Sequence, residues 1–179
     1  MIDGGFMEHL IKYSSVAKCF EEALPIGNGR LGAMVYGGTE CEKISLNEDS
    51  AWTGSGKRNS VPKGAYDAYI RARDLVLQDK INEAEEILSS GFHAMWSQIY
   101  LPVGNLLIDL GHKNVTNYCR TLDIANAIAA TEYEMNGVKY QREVFASHPE
   151  DVIAIRLSSD KDGALSFKVG FDTRLAVLV

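Results

Sequence analysis

The residues Gly27-Asn28-Gly29-Arg30-Leu31-Gly32 place three glycines in the pattern G-x-G-x-x-G. That pattern cradles a pyrophosphate when a strand precedes it and a helix opens at the third glycine, where free backbone N–H groups attract the anion. Here the third glycine leads into AMVYGGTECEKISL. Val35, Tyr36, Thr39 and Ile44 favour extended backbone, and Gly37-Gly38 would break a helix. Nucleotide binding is therefore not expected. Gly27, Gly29 and Gly32 read instead as structural glycines of a turn between strands, giving positive φ or close backbone approach. A kinase-type glycine loop does precede a strand, but no HRD or DFG occurs after it.

Other catalytic patterns are sparse. Glu48 and Asp49 are neighbouring carboxylates, but adjacent side chains on a strand point to opposite faces, so they make a poor acid–base pair. His9, His93, His112 and His148 are scattered, with no HExxH, and no GxSxG occurs. Cys19, Cys41 and Cys119 are odd in number and contain no CxxC, which argues against a disulfide framework or a zinc site. Trp52 and Trp96 are the two tryptophans. Each could stack on a sugar ring if exposed, or pack in a core or interface. No catalytic residue, metal site or cofactor is expected within this chain.

The bulk numbers fit a single globular unit of 179 residues, 46% of them hydrophobic. Eighteen Lys and Arg stand against 24 Asp and Glu, a formal charge of -6. That balance disfavours nucleic acid and anionic membrane surfaces as partners. The start, MIDGGFMEHL, has neither a basic n-region nor an apolar core, and no apolar stretch approaches membrane length. The expectation for the chain as written is cytoplasmic.

The elements that must position these residues are mostly strands. Residues 31–46 read as two strands around a Gly37-Gly38 turn. Residues 64–90 switch to helical spacing, with Tyr66, Ile70, Leu77, Ile81, Ala84 and Leu88 on one stripe. A break near 78–80 makes this a helix pair, with Asp79 as N-cap of the second helix and Gly91 as its stop. From Tyr100 onward the pattern is β. Asn136-Gly137 signals a tight hairpin, pairing Met135 with Val138, Tyr133 with Tyr140 and Thr131 with Arg142. VIAIRLS (152–158) puts Ile153, Ile155 and Leu157 on one side, and Asp162-Gly163 turns the chain into LSFKVGF (165–171). The fold class expected is mainly β, a super-sandwich of antiparallel strands with an inserted helix pair at about 64–90. The apolar tail FDTRLAVLV would leave an unpaired hydrophobic edge, which reads as a chain cut from something longer.

The string ALPIGNGRLGAMVYGGTECEKISLNEDSAWTG (23–54) resembles the opening of glycoside hydrolase family 95, the α-L-fucosidases and their relatives. The similarity continues through EAEEIL (83–88), YLPVGNLLIDL (100–110) and the run from Val115 to Phe167. It covers roughly 150 residues, and LPIGNGRLGAM together with SLNEDSAWTG is its most specific part. The resemblance implies an N-terminal β-super-sandwich over residues 1–179, truncated, with the helix pair as an insertion. It implies that the partner is a downstream (α/α)6 catalytic barrel of the same parent chain, absent here. It also implies inverting hydrolysis without a metal, in which one carboxylic acid protonates the leaving oxygen and a positioned water attacks from the far face. Those groups belong to the barrel, and none maps to this sequence. Two segments depart from the family pattern: GSGKRNSVPKG after Trp52, and YSSVAKCF, which lacks an aromatic often found there.

Three roles are open to such a chain. In the first, it is an inactive fragment whose loop Asn47, Glu48, Asp49 to Trp52 braces the barrel and reaches the rim of its substrate cleft. In the second, it is a sandwich that binds oligosaccharide by itself, through Trp52, Trp96 or a surface tyrosine. The third is an unrelated interaction module.

Overall fold

The computed structural model describes residues 9–53, 62–91 and 98–175. They form two units, one built from the segments up to Ala51 and from Pro102 onward, the other from Trp52–Leu101.

The first unit is a sandwich of two five-stranded antiparallel sheets. One sheet runs β1 (Leu10–Tyr13), β6 (Thr116–Asp123), β7 (Ile128–Met135), β8 (Val138–Ser147), β9 (Val152–Ser159). The other runs β10 (Lys168–Asp172), β5 (Gly104–Asp109), β4 (Cys41–Glu48), β3 (Leu31–Val35), β2 (Leu24–Gly27). Alternation along each strand supplies the core: Leu24, Ile26, Val35, Ile44 and Ile108 from one sheet meet Leu122, Ala129 and Val144 from the other. Ile153, Ile155 and Leu157 pack against that core from β9. The mainly β sandwich expected from the sequence is the fold observed.

The hairpin of β7 and β8 pairs Met135 with Val138, Tyr133 with Tyr140 and Thr131 with Arg142. Asn136 and Gly137 have φ of 53° and 75°, the positive values that a two-residue primed turn requires. The inward face of this hairpin is not purely apolar, since Arg142 is 2% exposed.

Three expectations need correction. Gly37-Gly38 is not the turn between β3 and β4. Val35 pairs with Ile44, so the turn is centred on Thr39 and Glu40. The two glycines lie on the incoming arm, where space decides their identity. A Cβ on Gly37 would overlap the Tyr118 hydroxyl and sit 2.9 Å from Arg120 Cδ, and one on Gly38 would overlap the Cys41 carbonyl.

The second unit holds α1 (Ala65–Val76) and α2 (Ile81–Gly91), inserted in sequence between β4 and β5. Its packed face matches the expected stripe only in part, at Ala84 and, half-buried, at Ile70 and Leu88. Ala65, Ala68 and Ala72 are buried on α1 and Ala84 on α2, whereas Tyr66, Leu77 and Ile81 are exposed. Small residues let the two helices approach closely; of the large side chains on the stripe Ile70 and Leu88 are half-buried, and Tyr66, Leu77 and Ile81 are left outside. Asp79 does not cap α2. It sits in the connecting turn at φ 62°, and the Lys80 carbonyl takes the first helical bond, from Ala84 N–H at 3.1 Å. Gly91 is the last described helical residue.

Candidate functional site

The G-x-G-x-x-G segment is the turn of the β2–β3 hairpin. Gly27 pairs with Gly32, and Asn28 N–H donates to the Leu31 carbonyl at 3.0 Å. The Asn28 side chain shapes the turn, its Oδ1 accepting from Arg30 N–H at 3.0 Å and from Leu31 N–H at 2.7 Å. Only Gly29 of the three takes a left-handed conformation, at φ 97°. Gly27 has a close neighbour, its absent Cβ lying 3.2 Å from the Leu31 carbonyl, whereas Gly32 has ordinary room. The third glycine lies within strand β3, so no helix opens at this loop to offer its N-terminus to an anion.

Arg30 projects from the turn and joins three chain segments. Its Nε donates to Glu48 Oε1 at 3.1 Å, at the end of β4, and its Nη1 pairs with Asp151 in the β8–β9 turn. Asn28 Nδ2 reaches the same turn, donating to the Ser147 carbonyl at 2.8 Å and to Asp151 Oδ1 at 3.3 Å. Glu48 is used at both oxygens, because Oε2 accepts from Ser50 N–H at 3.0 Å and from the Ser50 hydroxyl at 2.6 Å. The Ser50 hydroxyl, followed by its N–H and the Arg30 guanidinium, holds the Glu48 carboxyl below the ordinary range. A carboxylate so held is a poor proton donor and a good anchor for a loop. Asp49 adds its backbone, donating from N–H to the Arg30 carbonyl at 3.1 Å.

Behind this rim lies a cleft of about 490 Å³. Leu31, Leu46, Val103, Leu106, Ile153 and Ile155 form its apolar wall, and Asn47, Glu48 and Ala51 complete its lining. The structure thus brings Gly27, Gly29, Gly32, Asn47, Glu48 and Asp49 to one end of the sandwich. Trp52 belongs to the second unit, where it forms an isolated bridge with Tyr100. The two rings lie edge to face, 4.9 Å between centroids, and Trp52 is 48% exposed. Trp96 lies outside the described residues. Asn136 and Gly137 occupy the β7–β8 turn.

Sequence reasoning missed a second cluster, inside the sandwich. Glu42 on β4 is wholly buried and pairs with Arg142 on β8, a bond between the two sheets. Its Oε1 accepts from Tyr36 N–H at 3.0 Å and Gly37 N–H at 2.9 Å. Arg142 Nη2 also donates to the Gly38 carbonyl at 2.9 Å. Burial pushes the Glu42 carboxyl up, and the Arg142 guanidinium with the N–H groups of residues 36–38 pulls it back. Beside it Arg120 donates to the carbonyls of Ser15 and Glu22 at 2.7 and 2.6 Å, and Tyr118 donates to the Gly37 carbonyl at 2.7 Å. His112 Nδ1 lies 2.8 Å from the Tyr133 hydroxyl, which burial pushes up to about 12. The available signal was an arginine on an otherwise apolar hairpin face, paired in sequence with Thr131.

Among the described residues no group of three His, Cys, Asp or Glu is placed to hold a metal. No described helix is long and apolar enough to cross a membrane. The three cysteines are free thiols.

Comparison with known proteins agrees with the motifs. Residues 11–177 match the family described as glycosyl hydrolase family 65, N-terminal domain. Alpha-L-fucosidase 2 of Arabidopsis thaliana is 37% identical over 98% of this chain and 21% of its own length. Probable alpha-fucosidase A of Aspergillus niger is 33% identical over 77% of this chain and 18% of its own. The corresponding Aspergillus oryzae protein is 29% identical, again over 77% of the chain and 20% of its own. The chain spans about a fifth of the length of the curated relatives it matches. It belongs to the glycosyl hydrolase family 65 N-terminal domain family and is homologous to the family 95 protein alpha-L-fucosidase 2.

Proposed function

We propose that this chain is a non-catalytic N-terminal domain of a longer α-L-fucosidase-type hydrolase. In that parent a downstream catalytic barrel carries out inverting hydrolysis of terminal α-L-fucosides. The sandwich presents the rim built from residues 27–32, 47–51 and 147–151 to the barrel. The observation that carries this reading is Arg30, which ties GNGRLG to NEDS, the two most specific strings of the family resemblance, through Glu48. Glu48, bound at both oxygens and held ionised, acts as the fixed end of a loop rather than as an acid. The proton donor and the base for the attacking water then belong to the barrel.

The test is fucose release from a 2-fucosylated oligosaccharide and from an aryl α-L-fucoside by the purified chain. No turnover is expected. Turnover abolished by Glu48→Gln would place the chemistry here and defeat the reading.

A second reading, a sandwich that binds oligosaccharide unaided, is favoured by the half-exposed Trp52 edge-on to Tyr100. Titrating tryptophan fluorescence with the same oligosaccharide separates the two. A saturable change that disappears in Trp52→Ala supports independent binding, and a flat titration removes it.

A further inference from the structure

The cluster inside the sandwich has donors left over. Every N–H of a guanidinium is a donor, and the group has no acceptor of its own. Arg142 uses Nη2 on the Gly38 carbonyl, at 2.9 Å, and on Glu42. Its Nε and Nη1 are buried and meet no acceptor among the described residues. A buried donor left so costs free energy unless something bonds it, and a charged one costs more.

Charge is out of balance at the same place. Among the described residues the buried ionised side chains are Arg120, Arg142 and Glu42, at 1%, 2% and 0% exposed. Two guanidiniums thus face one carboxylate. All three lie close enough together for the Tyr118 hydroxyl to feel each of their charges. Arg120 is accommodated, because the Ser15 and Glu22 carbonyls accept from it and the Tyr13 ring centroid lies 4.2 Å from its guanidinium carbon. Arg142 has no such surplus of acceptors. Thr131 stands opposite it on β7, and Tyr140 precedes it on the same face of β8. His112 packs on Tyr140, with ring centroids 4.3 Å apart. These three side chains are buried, and none of them carries negative charge at neutral pH.

We infer that this inner layer binds a small monovalent anion of the chloride class at Nε or Nη1 of Arg142. Water would accept from those groups but leave the second guanidinium unbalanced, whereas an anion accepts more strongly and balances the charge. Enclosure by buried side chains favours a monatomic ion over an oxyanion. The inference goes beyond the proposed role in a parent hydrolase and does not depend on it.

Urea unfolding in exchanged salts tests it. Sodium gluconate, whose anion is too large for the interior, is replaced stepwise by sodium chloride at constant ionic strength. An ion held only by the folded chain stabilises it by RT ln(1 + [Cl]/Kd). The midpoint should therefore rise with chloride, on a curve that bends over above Kd. The double variant Glu42→Leu, Arg142→Met lacks the binding group and should lose that rise. Crystals of the unaltered chain grown in bromide give a second readout. The anomalous signal should mark an ion within hydrogen-bond reach of Arg142 Nε or Nη1. A wild-type midpoint indifferent to chloride overturns the inference and leaves water as the acceptor. A rise that persists in the double variant also overturns it, by assigning the effect to ions elsewhere. Bromide found only at the surface does the same, and needs no variant to fold.

Discussion

Two arginine–carboxylate knots hold this chain's loops, and they differ in one respect above all. Around Arg142 the ion pair is sealed, with side-chain exposures of 2% for Arg142 and 0% for Glu42. Around Arg30 it is open, at 57% for the arginine, 18% for Glu48 and 42% for Asp151. Both knots tie together segments far apart in sequence. The inner one connects opposite sheets and holds the Tyr36–Gly38 arm in place. The outer one connects three turns at a rim. In water a charge that loses its partner is rehydrated, but in the core it is stranded. The same chemistry therefore sets the fold in one place and the posture of a surface in the other.

The largest test of that contrast is Glu42→Ala. It leaves the Arg142 guanidinium buried without its carboxylate and removes the acceptor for Gly37 N–H, while Tyr36 N–H keeps the Lys43 carbonyl. A loss of about 3–5 kcal/mol is expected, seen as a lower urea midpoint. The double variant Glu42→Leu, Arg142→Met removes both charges and should recover most of it. If the single variant melts like wild type, the inner knot is not what holds the sheets together.

Next in size is a pair of glycines, one at each knot. Both have positive φ, 80° at Gly37 and 97° at Gly29. An alanine at Gly29 meets nothing within 4 Å and incurs only the left-handed backbone cost, roughly 1–2 kcal/mol. An alanine at Gly37 adds a collision with Tyr118 and Arg120 at the wall of the inner knot. Gly37→Ala should therefore lower stability by clearly more than Gly29→Ala in parallel denaturant titrations. Equal losses would mean that the interior relaxes around the new methyl group as easily as the rim does.

These glycines also mark how far the sequence could be read. The strands were legible because alternation and the Asn136-Gly137 turn act locally, fixing the Tyr133–Tyr140 register without tertiary help. Gly37-Gly38 was misread because its cause is not local. A two-residue Gly-Gly turn and a Gly-Gly arm beneath Tyr118 look alike until β6 is packed on top. The helix stripe was right only at Ala84, Ile70 and Leu88, for a related reason. Tyr66 and Leu77 have the right period, but alanines win the interface when two short helices pack closely. At the rim, Glu48 was visible as a carboxylate, but its partners were not. Asp151 lies 121 residues from Arg30, in a turn whose sequence gives no sign of the contact. Trp52 fell in the other unit, which the continuous string NEDSAW could not reveal.

A pH titration probes the inner knot without mutation. Burial, and then the Arg142 guanidinium, hold the His112 imidazole below its ordinary range. The folded state thus binds a proton less readily than the unfolded one. Stability is fully present above the unfolded value, about 6.5, and is lost as pH falls from there through the lower folded value. The midpoint of urea unfolding should decline between pH 7.5 and 5.5, and His112→Gln should flatten that part of the curve. The Tyr133 hydroxyl can pair with either side chain, so a slope that persists in His112→Gln would assign the effect to other groups.

The smallest expected effect is at the rim itself. Arg30→Ala removes two ion pairs whose members all touch solvent, and each such pair contributes about 0–1 kcal/mol. Glu48 keeps Ser50, and Asn28 still reaches the Ser147 carbonyl, so neither turn is left without a tie. The melting temperature should move little, and the difference from wild type should shrink in high salt as screening replaces the lost attraction. Amide exchange offers the sharper readout, because a knot that positions a surface rather than a core should show its loss locally. Faster exchange is expected at Asp49 and Leu31, whose N–H groups are bound within the two loops that Arg30 joins, with the β7–β8 hairpin unchanged. If protection drops across the whole sandwich instead, the open knot is as structural as the sealed one, and exposure no longer separates them.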